Sequence, residues 1–121
     1  MTLRIQAVDE QVWTIAPRGR IDQPAARAIE DALNELSDSG HARIVVDLGE
    51  VAYMASAGLA SLLTGVRRAR MLGGDVRLAA MNARVREVFE MSGFDQLFTI
   101  FATSAQAVAS YHGAGSAPPA P

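Results

Sequence analysis

A serine and two aspartates stand at points where a predicted strand or loop leads into the next element. Asp22 and Asp47 lie at the ends of predicted strands, and Ser56 comes just before apolar residues that repeat at helical spacing. The ends of parallel strands meet at one edge of an α/β sheet, where such proteins place their sites. Taken singly, Asp22 is typical of a helix cap and Asp47 of a hydrogen-bonded loop. Together with Ser56, they predict one polar patch at one edge of the sheet.

Ser56 itself has two interpretations. A serine hydroxyl at a helix start can cap the helix, which stabilises it by about 1 kcal/mol. The same hydroxyl can accept a phosphoryl group, whose negative charge the helix dipole favours. In an interface that charge would be costly, because a partner would have to desolvate it or set it beside a carboxylate. Ser56 is therefore either a cap or a switch.

Residues typical of catalysis and metal binding are few and scattered. The chain has no cysteine, which excludes disulfides, thiolate metal sites and a cysteine nucleophile. His41 lies in a predicted loop and His112 next to the C-terminal tail, and neither belongs to a motif with an acid or a nucleophile. Gly19 and Gly73-Gly74 are better explained by a turn and a helix end than by a phosphate-binding loop. The sequence therefore favours a binding protein over an enzyme.

The composition is that of one globular domain. The 121 residues are 50% hydrophobic and carry a formal net charge of −2, which provides no general attraction to nucleic acid or acidic membranes. An arginine lies where a signal peptide would need an apolar run, and the longest uncharged stretch, 51–66, is too short to span a bilayer. We therefore expect a cytoplasmic protein that neither binds nucleic acid nor inserts into a membrane.

The spacing of apolar residues predicts five strands and four helices. The strands are 3–8, 12–16, 44–48, 76–80 and 97–101, and the helices are 24–36, 57–72, 83–91 and 104–109. Pro17 is expected to end the second strand or to lie at its edge. Helices alternating with strands indicate an α/β sandwich with a mixed, mostly parallel sheet, in the order ββαβαβαβα. Residues 1–112 form the predicted domain, and 113–121, which contain only Gly, Ala, Ser and Pro, a flexible tail.

One face of the second predicted helix is built mainly from small residues. An apolar stripe occupies the other face, and the small-residue face carries Ala57, Ala60, Ser61, Thr64 and Arg68. Small side chains would let a partner protein approach closely, although a plain solvated face has the same composition.

Three motifs follow one another along the chain. Residues 44–59 combine a strand ending in Asp-Leu with a loop and the sequence Ala-Ser-Ala-Gly-Leu, and Gly-Arg-Ile-Asp occupies 19–22. A helical segment, 85–98, contains Ser-Gly before Phe-Asp-Gln-Leu-Phe. In this order the motifs resemble those of STAS domains, the anti-sigma factor antagonists. The resemblance covers about residues 3–109 and implies a central mixed sheet backed by helices.

This resemblance implies a partner-switching regulator with no cofactor of its own. In that family the unphosphorylated antagonist binds an anti-sigma factor, itself a serine kinase that uses ATP, and so frees a sigma factor for transcription. The kinase phosphorylates a serine of the antagonist, which releases it, and a serine phosphatase resets it. Ser56 occupies the position of that serine, and Asp22 matches an aspartate of the partner-binding surface. The implied surface also includes Ala55, Ala57, Gly58, Ala60, Ser61, Thr64 and Arg68.

Two positions depart from the family pattern. Ala55 stands where an acidic residue usually precedes the serine, and Ala57 stands at the second hydroxyl position. The missing carboxylate bears on phosphorylation and leaves the binding role standing, so a second hypothesis stays open. In it the chain is the STAS subunit of a lipid or solute ABC-type transporter, where the same loop and helix brace an ATPase component without phosphorylation. We expect the protein itself to be a monomer or weak dimer.

Overall fold

The structure, a computed structural model, describes residues 1–112, and the predicted tail at 113–121 lies outside them. The strands are β1 (Thr2–Ala7), β2 (Trp13–Ile21), β3 (Arg43–Asp47), β4 (Glu50–Met54), β5 (Asp75–Ala79) and β6 (Ile100–Phe101). The helices are α1 (Gln23–Asp38), α2 (Ser56–Met71), α3 (Ala83–Ser92) and α4 (Ser104–Ala109), with a 3-10 turn at Phe94–Gln96. The sheet has the order β1-β2-β3-β5-β6, and β4 also pairs with β2. Only β1 is antiparallel to its neighbour, so the predicted mixed, mostly parallel α/β fold is confirmed.

β2 is longer than predicted and has two partners along one edge. Its first part, Trp13–Ile15, pairs with β3, and its last part, Arg18–Ile21, pairs with β4. Pro17 was expected to end this strand or to lie at its edge, but it lies inside β2, opposite Leu3 of β1. It falls between the stretches that pair with β3 and β4, where its missing N–H group interrupts neither ladder. The strand therefore continues to Ile21.

β4 is the strand that the sequence did not predict, because residues 51–54 looked like a loop. Val51 and Met54 are buried, whereas Ala52 and Tyr53 between them are exposed. A register shift opposite Gly19 and Arg20 of β2 breaks the simple alternation of sides. Without alternation, the main sequence signal of a half-buried strand is lost.

The two faces of the sheet carry separate apolar cores. Ile44 and Val46 of β3 point to the face covered by α1, α2 and α3, and Val45 points to the opposite face. All three side chains are fully buried, as predicted for a central strand. On the second face, α4 covers the half of the sheet that contains β3, β5 and β6.

The residues after α4 hold it against the sheet. The Tyr111 hydroxyl lies 2.8 Å from the carbonyl oxygens of both Ile44 and Asp75. The guanidinium carbon of Arg77 lies 4.1 Å from the centre of the Tyr111 ring. Burial raises the pKa of the Tyr111 hydroxyl, so it stays protonated and can donate to one of the two carbonyls.

α1 and α2 pack closely against each other on the first face. Each follows a strand of the parallel part of the sheet, so the two helices run in the same direction. Gly65 of α2 is buried against Leu33 of α1, and a Cβ atom there would overlap the Leu33 side chain. Further along, Arg68 makes a bidentate ion pair with Asp38 at 2.7 and 2.9 Å. Because Gly65 has no side chain, α1 and α2 can approach each other this closely.

Replacing Gly65 with valine is therefore expected to lower the free energy of unfolding by about 3 kcal/mol, because overpacking forces the two helices apart. Thr64→Val is the control, since it places the same valine side chain at the adjacent, exposed position. The control should change stability by less than about 0.5 kcal/mol. Urea denaturation of both variants measures the difference, and equal stabilities would contradict the close packing at Gly65.

Candidate functional site

The ends of β2 and β4 bring Asp22 and Ser56 to the same edge of the sheet. The two strands run parallel with Ile21 paired to Met54, and the Ala55 amide donates to the Ile21 carbonyl at 2.9 Å. Asp22 and Ser56 come next in the chain, each at the beginning of a helix. The N-termini of α1 and α2 therefore lie side by side.

The two aspartates have the local roles that their sequence context indicated. Asp22 is the N-cap of α1, and its Oδ1 accepts a hydrogen bond from the Ala25 amide at 3.1 Å. Asp47 Oδ1 accepts from the Gly49 amide at 2.9 Å and so holds the turn between β3 and β4. Asp22 is exposed, so its carboxylate faces both the helix end and the surface.

Ser56 does not cap α2, so the capping interpretation was wrong. The N-cap position is Ala55, with extended φ and ψ of −81° and 165°, and no side chain accepts a hydrogen bond from the first turn. Ser56 is the first helical residue and is exposed. Its hydroxyl makes no hydrogen bond to any other residue within 1–112. The hydroxyl is therefore accessible to molecules outside the domain.

The start of α2 is also suited to a negative charge. A helix N-terminus leaves amide groups without carbonyl partners inside the helix and carries a partial positive charge. The first turn of α2 has no acidic residue, and Ala55 offers no side-chain acceptor. The N-cap position of α2 therefore carries no capping side chain. A phosphoryl group on Ser56 would lie where that cap is missing.

Gly58 and Ser61 were predicted on the partner-binding surface, but both are buried. A Cβ atom on Gly58 would overlap the side chains of Met54 and Ile21, so this glycine lets α2 approach β2 and β4. Ser61 is 3% exposed, and its hydroxyl donates to the Ala57 carbonyl at 2.7 Å. Their small size serves the packing of α2 within the domain, and neither presents a substantial surface to a partner.

The exposed part of the predicted surface continues onto α1. Ser56, Ala60 and Thr64 are exposed, and Ala55 and Ala57 are partly buried. Beside them runs a groove of about 230 Å³ between α1 and α2. No sequence motif singled out the charges on α1, because the groove exists only once the two helices pack together. The α1 wall of the groove consists of Gln23, Ala26, Arg27, Glu30 and Asp31.

Arg68 lies far from Ser56, towards the other end of α2. It comes twelve residues after Ser56, which is roughly 18 Å along the helix axis. The two hydrogen bonds that the Arg68 guanidinium donates to the Asp38 carboxylate raise the pKa of Arg68 and hold this guanidinium at the opposite end of the α1–α2 pair. The structure therefore separates Arg68 from the site at Ser56.

No group of three or more His, Cys, Asp or Glu side chains within residues 1–112 is placed to hold a metal ion. No helix in this range is both long and apolar enough to cross a membrane.

Comparisons with known proteins agree with the fold. A family model described as "Mlab, STAS domain" matches residues 6–100. The anti-sigma factor antagonist SpoIIAA superposes with a TM-score of 0.80 in its unphosphorylated form, at 22% identity, covering 91% of this chain and 96% of that one. Its phosphorylated form, from Bacillus, gives 0.74 at 20% identity over 92% and 100%. A sulfate transporter family protein of Wolinella succinogenes gives 0.74 at 15% identity over 86% and 87%. These matches define a STAS domain.

A sequence relative narrows the assignment. BtrV of Bordetella bronchiseptica, a candidate anti-sigma factor antagonist, is 37% identical over 92 residues, which cover 76% of this chain and 78% of BtrV. The chain therefore belongs to the STAS-domain family of anti-sigma factor antagonists.

The different roles of Asp22 and Ser56 predict different effects on stability. Asp22→Ala should lower the free energy of unfolding by about 1 kcal/mol, because it removes the cap of α1. Ser56→Ala should change it by less than about 0.5 kcal/mol, because no capping bond is lost. Urea denaturation distinguishes the two, and an equal loss in both variants would restore the capping role of Ser56.

The empty cap of α2 predicts a stabilising substitution. Ala55→Asp should raise the free energy of unfolding by about 1 kcal/mol, since aspartate at an N-cap accepts hydrogen bonds from the first turn. Ala60→Asp makes the same change of charge at an exposed position inside the helix, where no cap can form. Thermal or urea denaturation at neutral pH measures both variants. A gain no larger for Ala55→Asp than for Ala60→Asp would argue against the cap.

Proposed function

We propose that the protein is a partner-switching regulator that binds an anti-sigma factor serine kinase and is released when that kinase phosphorylates Ser56. Binding would sequester the kinase and so permit sigma-factor-dependent transcription. A serine phosphatase would return the protein to its binding form. The domain itself performs no catalysis in this scheme, and ATP belongs to the kinase. Such partners place the protein in the cytoplasm.

The observation that carries the proposal is the state of the Ser56 hydroxyl. It is exposed and makes no hydrogen bond within residues 1–112. It also lies at a helix start with no side-chain cap, beside the N-terminus of α1 and Asp22. A kinase can therefore reach this serine without opening the fold. The position matches the serine of the family motif, although Ala55 replaces the usual acidic residue before it.

The partner would rest on the groove between α1 and α2. Ala57 and Ala60 allow a close approach on the α2 side, and the α1 side contributes the charges of Arg27, Glu30 and Asp31. These charges together are negative by one unit, which suits a partner surface with a compensating positive charge. Asp22, the N-cap of the same helix, adds a further negative charge beside Ser56.

Phosphorylation would act on the complex more than on the fold. A phosphoryl group adds nearly two negative charges, which the uncapped N-terminus of α2 tolerates. Inside an interface the same charges lose their hydration, and burial of an unpaired charge costs several kcal/mol. The phosphorylated domain would therefore stay folded and release its partner.

A second candidate function uses the same surface without phosphorylation. The domain would then brace the ATPase component of an ABC-type transporter for a lipid or solute. Ala55 favours this candidate, because it removes the acidic neighbour usual for a phosphorylated serine.

The test is capture of the partner from the native lysate, followed by intact-mass analysis with and without ATP. The wild-type chain should retain a serine kinase, gain the mass of one phosphoryl group when ATP is added, and then elute. Ser56→Ala should bind and resist ATP. Ser56→Asp should bind at least about tenfold more weakly, since an unpaired buried charge costs more than 1.4 kcal/mol.

Ser104 supplies a matched control, because it is also the first residue of a helix, α4, on the other face of the sheet. Ser104→Asp should bind and respond to ATP like the wild-type chain. Capture of a transporter ATPase, with no mass change on ATP, would support the brace. Equal binding of the alanine and aspartate variants at Ser56, before and after ATP, would rule out the switch.

A further inference from the structure

β1 leaves one edge of the sheet open. Among the described residues it pairs only with β2. The Val8 amide, just after β1, donates to the Val12 carbonyl at 2.9 Å, so the peptide groups of even-numbered residues point towards β2. Those of Leu3, Ile5 and Ala7 therefore point away from the sheet. A row of such unpaired groups is a template for another strand.

One face beside this edge is apolar. Leu3 packs against the main core, and Ile5, on the same side of β1, is 44% exposed. Ile5, Trp13 and Leu36 provide the apolar part of a groove of about 320 Å³ between β1 and α1, whose lining also includes Glu35 and Ser39. The ring centres of His41 and Trp13 lie 5.0 Å apart, and both residues line this groove. A side chain on an added strand would enter this groove if it were apolar and pointed to the α1 face.

The other face beside the same edge is basic. Arg4 of β1 and Arg18 and Arg20 of β2 share this face, which α4 covers only over β3, β5 and β6. All three arginines are exposed, and none forms an ion pair within residues 1–112. Glu50 of β4 lies opposite Arg18, so three positive charges face one negative charge. The guanidinium of Arg20 stacks 4.5 Å from the centre of a tyrosine ring on β4.

We propose that the open edge of β1 binds an extended protein segment in which apolar and acidic residues alternate. Its backbone would pair with the outward peptide groups of β1. Its apolar side chains would enter the groove beside Ile5, and its carboxylates would meet Arg4 and Arg18 on the opposite face. The alternation follows from strand geometry, because successive side chains point to opposite faces. This surface is distinct from the groove between α1 and α2 and does not depend on Ser56.

The open edge, the apolar groove and the basic face together favour an alternating apolar and acidic segment over other negatively charged partners. A nucleic acid or an anionic membrane would use the arginines and leave both the apolar groove and the backbone groups of β1 unused. A second copy of the chain can pair its own β1 with this edge, but its even-numbered side chains would bring arginine and glutamine to a face that is already basic. Only an alternating acidic and apolar segment satisfies the edge and both faces.

The test titrates the full chain with a blocked peptide of alternating valine and glutamate, long enough to span the six residues of β1. The backbone amides are followed by NMR. We expect saturable binding in which the amides of Leu3, Ile5 and Ala7 shift and exchange more slowly with solvent. Peptides of alternating valine and lysine, or of alternating serine and glutamate, should bind at least about tenfold more weakly, because each loses one of the two faces.

A charge reversal identifies the basic face. Arg4→Glu should weaken binding of the valine–glutamate peptide about tenfold and strengthen binding of the valine–lysine peptide. Arg84→Glu is the matched control, since it makes the same change of charge at an exposed position on α3. The control should bind both peptides like the wild-type chain.

Three results would overturn the proposal. The first is the absence of saturable binding, which would make Arg4 a residue that merely protects the edge from strand pairing. The second is binding that ignores the sign of the peptide charge or shifts amides elsewhere in the domain. The third is a dimer formed through β1, seen by sedimentation at the protein concentrations of the titration, which the peptide does not dissociate.

Discussion

The candidate site depends on the parallel pairing of β4 with the last part of β2. β3 has five residues and β2 has nine, so β3 leaves the end of β2 open to a second partner. The chain reaches this open end of β2 through the turn that Asp47 stabilises. The hydrogen bond that the Ala55 amide donates to the Ile21 carbonyl then aligns the ends of β4 and β2. Ser56 therefore takes its position relative to Asp22 from the register of a sheet, which is far stiffer than a loop.

The same pairing explains why small residues are needed on α2. Two helices that leave adjacent parallel strands must lie side by side, and here Gly58 and Gly65 remove the side chains that would keep α2 away from β2 and α1. The cost in helix propensity is about 1 kcal/mol for each glycine. With these glycines the start of α2 is held against the sheet, while the Ser56 hydroxyl makes no hydrogen bond within the described chain. Rigidity of the backbone and availability of the hydroxyl thus have separate sources.

The same geometry explains which features could be predicted from the sequence and which could not. Apolar spacing located the helices and the buried strand at Ile44–Val46, because burial on one or both faces has a clear period. It missed β4, where a register shift interrupts the alternation, and it could not show that Pro17 falls between two pairing stretches. It also put Ser61 on the outer surface, because spacing along one helix does not reveal where a second helix packs. The sequence motifs predicted that Ser56 lies near Asp22. Only the fold showed that Ala55, and not Ser56, is the N-cap of α2.

The two surfaces proposed for partners lie on opposite sides of β2. β1 pairs with one edge of β2 and β4 with the other, so a partner on the α1–α2 groove leaves the outer edge of β1 uncovered. Arg4 lies opposite Ala16, five residues below Ile21 on β2, or roughly 17 Å from the Ser56 edge along the strand. This distance is about twice the Debye length at physiological ionic strength, roughly 8 Å. A charge added at Ser56 would therefore be largely screened at Arg4. Phosphorylation would release one partner while a segment on β1 stayed bound, so the domain could remain attached to an assembly through both states of the switch.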